Sequence, residues 1–261
     1  MLIVALLGIG FYLLATGLVM RQFFSAQTHT PDRVLTAAWL AMILHLAVLG
    51  MAIIQAQTVQ NLSVLNVASL VALLINGLLT AISRQQNSWI LLPFAYAFTV
   101  VLLFSSLFTP YYYLTSLGDR PGLVIHIALA LLSYAMMSIA SLFALLQVYL
   151  NYQLKHRRKL RLQNVPPLLS IEKQLVRLLQ IGGVLLTLSI SSGFLFIDNI
   201  LAPNNLDKVG LSVVAWCLYA TLLWGHYQRG WRGQRLVIMT LTGNVLLAVA
   251  YFGSRLLQLI F

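Results

Sequence analysis

Long apolar runs alternate with short polar segments along the whole chain. A run of roughly 20 apolar residues is long enough to cross the hydrocarbon core of a bilayer as an α-helix. The pattern predicts eight such helices, over residues 2–20, 37–56, 64–82, 89–108, 121–150, 180–200, 209–227 and 236–257. We therefore predict an all-α polytopic membrane protein that forms a single membrane domain over residues 1–261, with no separate domain outside the membrane.

The composition agrees with this pattern. Hydrophobic residues make up 60% of the chain and charged residues only 8%, against about 25% charged residues in a typical soluble domain. The net charge is +11, which in a soluble protein would suggest a nucleic-acid partner. Here the basic residues lie in short connecting segments, so they indicate membrane orientation. As partners we expect the lipid bilayer and other membrane proteins, and no nucleic acid.

The positive charges alternate from one connecting segment to the next. The segments after the first, third, fifth and seventh runs, with their flanks, carry 13 of the 16 Lys and Arg residues. The other side carries Arg120, Lys208 and Arg255. Because basic segments stay in the cytoplasm, both termini are predicted to lie outside. The first run has no basic segment before it and no small-x-small cleavage site, so we interpret it as a retained helix rather than a signal peptide.

Few residues could carry catalysis. The single cysteine, Cys217, excludes an internal disulfide and a Cys-x-x-Cys pair, and we expect it to be a small packing residue. The sequence contains no Walker, Gly-x-Ser-x-Gly or His-Glu-x-x-His motif. No predicted helix has a charged residue at its middle. These features predict a protein that is not an enzyme, and they weaken a solute-transporter interpretation, which would need polar groups along a path through the midplane.

The histidines are the remaining candidates. His29 and His156 lie in basic segments and are expected to be solvated. His45, His126 and His226 lie on or at the ends of apolar helices. Burial there favours the neutral imidazole, which is the form that ligates a metal. The alternative is a purely structural histidine that is hydrogen-bonded to a carbonyl or hydroxyl group on a neighbouring helix.

The predicted topology also gives the depth of each histidine. His45 lies about nine residues into its helix, roughly 13 Å deep, and His226 lies at the cytoplasmic end of the seventh helix. His126 lies near the outer end of the fifth helix. Two neutral imidazoles on different helices can hold haem iron from both faces, and helix tilt can absorb a difference in depth. We would look for such a site first between His45 and His226.

The fifth helix also carries a family resemblance. Its segment HIALALLSYA, from His126, resembles the His-then-Leu-Ser-Tyr-Ala helix of the CcsA and CcmC cytochrome c assembly proteins. The resemblance continues in order over residues 121–257, in the segments SIEKQLVRLLQIGGVLLTLSISSGFLF, DKVGLSVVAW, WGHYQRGWRGQR and VAYFGSRLL. Overall, the chain most resembles the YpjD-like branch of this superfamily, which consists of bacterial inner-membrane proteins.

The resemblance implies a haem-handling protein. It implies that His126 is an external haem-ligating histidine, and that His45 and His226 are the pair that holds haem within the membrane. Two family features are missing: residues 197–210 contain no tryptophan, and no histidine follows the last apolar run. These differences put outward delivery of haem in question. They leave a second possibility, an accessory or scaffold subunit of another membrane protein, for example an ion-transport protein.

Overall fold

The computed structural model describes residues 1–24, 31–54, 59–86, 89–108, 114–116, 120–156, 166–197, 200 and 202–253. Over these residues the chain forms eight α-helices. Counted together with the short turns that adjoin two of them, all eight are long and apolar enough to cross a membrane. The predicted all-α polytopic fold is therefore confirmed. The helices are α1 Leu2–Phe24, α2 Pro31–Ile53, α3 Val64–Gln86, α4 Leu92–Ser106, α5 Pro121–Lys155, α6 Leu168–Phe196, α7 Pro203–Arg229 and α8 Gln234–Ala248. A 3₁₀ turn, Trp89–Leu91, leads into α4, and a π-helical turn, Val249–Gly253, continues α8.

Several helices extend beyond their apolar runs. α5 has 35 residues and is therefore about 52 Å long, well beyond the roughly 30 Å of hydrocarbon. α6 begins at Leu168, so the polar segment before the predicted sixth span belongs to the same helix. α2, α5 and α7 each begin at a proline, which suits the first turn of a helix because the missing N–H has no intrahelical partner there. Hydropathy locates the part of a helix inside the membrane, whereas caps and prolines locate its ends.

Two short strands were not predicted. β1, Val59–Asn61, pairs antiparallel with β2, Leu114–Ser116, and Val59 lies opposite Ser116. The pairing joins the α2–α3 connection to the α4–α5 connection.

The chain divides into two compact units. The first comprises residues 1–118 and 157–167, and the second residues 119–156 and 168–261; a single membrane domain stays a prediction. In the first unit α1 packs against α2 and α4, and α3 packs against the same two helices. Gly8 allows the approach of α1 to α2, since a Cβ atom at this position would lie 3.6 Å from the Leu44 Cβ.

The second unit has the same closed arrangement of four helices. α5 packs against α6 and α8, and α7 packs against the same two helices. The Ser133 hydroxyl donates to the Gly182 carbonyl oxygen at 3.0 Å, which joins α5 to α6. The Tyr251 hydroxyl donates to the Ala130 carbonyl oxygen at 3.1 Å, which joins the π-helical turn to α5. Cys217, which was expected to be a small packing residue, is exposed on α7.

Candidate functional site

His45 lies in the interior of the first unit, where its side chain is 0% exposed. Its Nδ1 atom lies 3.2 Å from the Tyr12 hydroxyl oxygen on α1. Its Nε2 atom lies 2.8 Å from the Ser69 hydroxyl oxygen on α3. Both ring nitrogens are therefore used within the protein, and the imidazole links α2 to two neighbouring helices.

The Ser69 partner of this histidine belongs to a stripe of uncharged polar side chains on α3. α3 buries five polar residues at helical spacing: Asn66, Ser69, Asn76, Thr80 and Ser83. The Asn76 amide donates to the Thr99 hydroxyl oxygen at 2.9 Å, and the Thr80 and Tyr96 hydroxyl oxygens are 2.8 Å apart. Sequence reasoning missed this stripe because it looked for charges, although the polar residues recur on one helical face.

His126 lies near the start of α5 and is half-buried. Its Nδ1 atom lies 2.9 Å from the Ser189 carbonyl oxygen and 3.3 Å from the Ser192 hydroxyl oxygen, both on α6. Because a carbonyl oxygen only accepts, Nδ1 carries the proton. The Nε2 atom of the neutral ring then presents a lone pair, and it has no hydrogen-bond partner among the described residues. A Cβ atom at Gly193 would lie 3.0 Å from the His126 Cε1 atom, so the glycine makes room for the ring.

His226 has the same arrangement near the end of α7. Its Nδ1 atom donates to the Trp231 carbonyl oxygen at 2.8 Å, which again leaves the Nε2 lone pair without a partner in the described part of the chain. Gly230 turns the chain back with φ +65°, a conformation that favours glycine. The Trp231 amide donates to the Gly225 carbonyl oxygen at 3.1 Å, which fixes the position of the acceptor.

The two histidines of the second unit lie at different levels along α6. His126 contacts Ser189, whereas Tyr227, the residue after His226, contacts Gln180. Nine residues of helix separate these two levels by roughly 14 Å. His126 and His226 therefore do not share one metal ion in this arrangement.

The remaining histidine predictions concern the pairing of His45 with His226 and the two solvated histidines, His29 and His156. His45 belongs to the first unit and His226 to the second, so the predicted pair stays a prediction. His156 is exposed at the end of α5, as expected for a solvated residue, and His29 lies outside the described residues. Among the residues that the structure describes, no group of three or more His, Cys, Asp or Glu side chains could hold a metal ion.

Within the described residues, the eight long apolar helices define a multi-pass membrane protein. The chain belongs to the cytochrome c assembly protein family, whose model matches residues 32–261. It is 46% identical to the inner membrane protein YpjD of Escherichia coli (strain K12) over 199 residues, which is 76% of each chain. It is 30% identical to the cytochrome c biogenesis protein CcsA of Prochlorococcus marinus (strain MIT 9303) over 83 residues, 31% of this chain and 26% of that protein. No solved structure matches.

These comparisons confirm the family that the fifth helix indicated from sequence. Together with the eight apolar helices, they identify the chain as a multi-pass protein of the bacterial inner membrane.

Proposed function

We propose that this member of the cytochrome c assembly family handles haem in the membrane, ligates it through membrane histidines, and has no catalytic activity of its own. The observation that supports the proposal most is the shared geometry of His126 and His226. In both residues Nδ1 donates to a backbone carbonyl oxygen, which leaves Nε2 available in the neutral ring.

This geometry suits an iron ligand. A histidine that ligates a metal usually donates its other ring N–H to a carbonyl or carboxylate oxygen, which fixes the tautomer and the ring orientation. Here the Ser189 carbonyl orients His126 and the Trp231 carbonyl orients His226. Haem, when bound, would supply an iron atom that imidazole nitrogen can ligate, and His126 and His226 are the residues that would hold it. The chain's own contribution is to orient each imidazole through the hydrogen bond of its Nδ1 atom.

His45 fits a ligand role less directly. Its Nε2 atom is occupied by the Ser69 hydroxyl and its Nδ1 atom by the Tyr12 hydroxyl. Ligation would require one of these hydrogen bonds to break, at a net cost of about 1 kcal/mol. We retain His45 in the proposal as a candidate haem ligand, which the family resemblance implies.

A visible absorption spectrum tests the proposal. The purified protein, as isolated or after addition of hemin, should show a Soret band. The His126→Ala and His226→Ala variants should each weaken or shift this band, and the double variant should lose it. His156→Ala is the matched control, because His156 is exposed at a helix end. A folded, colourless protein that takes up no hemin would overturn the proposal.

A second candidate is an accessory or scaffold subunit of another membrane protein, for example an ion-transport protein. The observation that favours it is that both nitrogens of His45 serve contacts within the protein, as in a purely structural residue. This candidate predicts a stoichiometric membrane complex on native gels that persists in the His126→Ala, His226→Ala double variant. Disappearance of the complex together with the Soret band would support haem handling instead.

A further inference from the structure

A groove runs between α6 and α7 in the second unit. Its volume is about 360 Å³, and its apolar walls include Gly183, Val184, Ala220 and Leu223. Val184 is 62% exposed, so the groove opens on the outer surface of the helices. Because α6 and α7 both cross the membrane, this surface faces lipid, and the groove has the shape and polarity to take an apolar chain.

Polar groups lie at two levels of the groove. At one level the Gln180 amide donates to the Tyr227 hydroxyl oxygen, which links α6 to α7. At the other level the Trp216 indole N–H donates to the Thr187 hydroxyl oxygen at 2.8 Å. The wall of the groove between these two levels presents mainly apolar atoms.

Two cations continue the face of α6 that lines the groove. Arg177 and Lys173 precede Gln180 by three and seven residues, and this spacing places all three on one side of a helix. Both are exposed, and within the described part of the chain neither side chain makes an ion pair or a hydrogen bond. The neighbouring acidic residue, Glu172, is already paired with Arg232. The groove therefore ends at an unneutralised positive charge.

We propose that this groove binds one anionic phospholipid, which the family relationship does not assign. One acyl chain lies between α6 and α7, against Gly183 and Leu223, and the phosphate lies beside Arg177 and Lys173. An apolar groove with two unpaired cations beyond one end complements a molecule with an apolar chain and an anionic head. Basic pockets at the cytoplasmic ends of membrane helices select such lipids in the same way. The proposal does not depend on haem binding.

Native mass spectrometry of the full-length protein in detergent tests this site, with phosphatidylglycerol and phosphatidylcholine as titrated probes. We expect one phosphatidylglycerol to bind in preference to phosphatidylcholine. Lys173→Ala and Arg177→Ala should each weaken phosphatidylglycerol binding about five-fold, because each cation contributes on the order of 1 kcal/mol at a membrane surface. Arg21→Ala and Arg33→Ala are the matched controls, since both are exposed cations of the first unit.

A second set of variants tests the groove itself. Gly183→Leu should block the acyl chain, whereas Gly210→Leu, at a position on α7 where a new Cβ would meet nothing within 4 Å, should leave lipid binding unchanged. If Gly183→Leu does not yield folded protein, Ala220→Leu fills the same groove from α7. Equal binding of the two lipids, or phosphatidylglycerol binding that survives both groove-filling variants, would overturn the proposal.

Discussion

The Nδ1 atom of His226 lies 2.8 Å from the carbonyl oxygen of Trp231, and the indole ring of the same Trp231 covers Gly225. Trp231 thus orients the His226 imidazole with its carbonyl oxygen and packs against Gly225 with its indole ring. The position of the carbonyl oxygen that accepts from His226 therefore depends on the position of the Trp231 ring. The ring fits there because Gly225 has no side chain.

The first prediction concerns this contact. A Cβ atom at position 225 would overlap the Trp231 ring, so Gly225→Ala should displace Trp231 and with it the acceptor of His226. We expect a loss of about 1–3 kcal/mol of stability, as for other overpacked sites, together with weaker hemin uptake. Thermal unfolding and the hemin titration measure the two effects. Gly210→Ala is the control, because a Cβ there meets nothing within 4 Å; equal behaviour of the two variants would refute this role for Trp231.

The second prediction concerns the buried contacts of His45. Tyr12→Phe and Ser69→Ala should each cost about 0.6 kcal/mol, up to about 1.7, the range for hydrogen bonds between membrane helices. His45→Phe should cost more, about 1–3 kcal/mol, because it leaves two hydroxyl groups buried without their partner. Thermal unfolding of the single and double variants measures the coupling. Additive losses for Tyr12→Phe and His45→Phe would show that the two residues do not interact.

The third prediction concerns Glu172, which accepts from Arg232 Nε at 2.6 Å and from Gln147 Nε2 at 3.3 Å. The Arg232 side chain is 60% exposed and that of Glu172 only 12%. Arg232→Ala should therefore cost no more than about 1 kcal/mol, as for exposed ion pairs. Glu172→Ala should cost more, because it also leaves the buried Gln147 amide without its acceptor. Thermal unfolding compares the variants, and equal losses would contradict the ranking.

The fourth prediction concerns orientation. Reporter fusions after Thr115 and after Leu160 should report the periplasm and the cytoplasm respectively, because Leu160 lies in the most basic connecting segment of the chain. An alkaline phosphatase fusion should be active only at Thr115 and a green fluorescent protein fusion only at Leu160. The reverse result would invert the predicted topology and place His126 at the cytoplasmic side.

Sequence reasoning recovered the features that depend on lipid contact. The eight helices were predictable because each must present a long apolar surface to the bilayer. The inner face of α3 was not recognised, although Ser69, Asn76 and Thr80 recur at helical spacing, because the helix keeps a mean hydropathy of 2.0 with these residues included. The positions of His126 and His226 on their helices were predictable. Their acceptors were not, since both are backbone carbonyl oxygens, which every residue possesses.

The pairing of β1 with β2 has a consequence for the order of assembly. Proteins are made from the N-terminus, and early segments begin to fold while later ones are still being synthesised. β1 follows α2, but its partner β2 follows α4, so β1 has no strand to pair with until α3 and α4 have been made. The pairing of β1 with β2 can therefore form only late in the synthesis of the first unit. The pairing would act as a closing step that follows the insertion of its four helices.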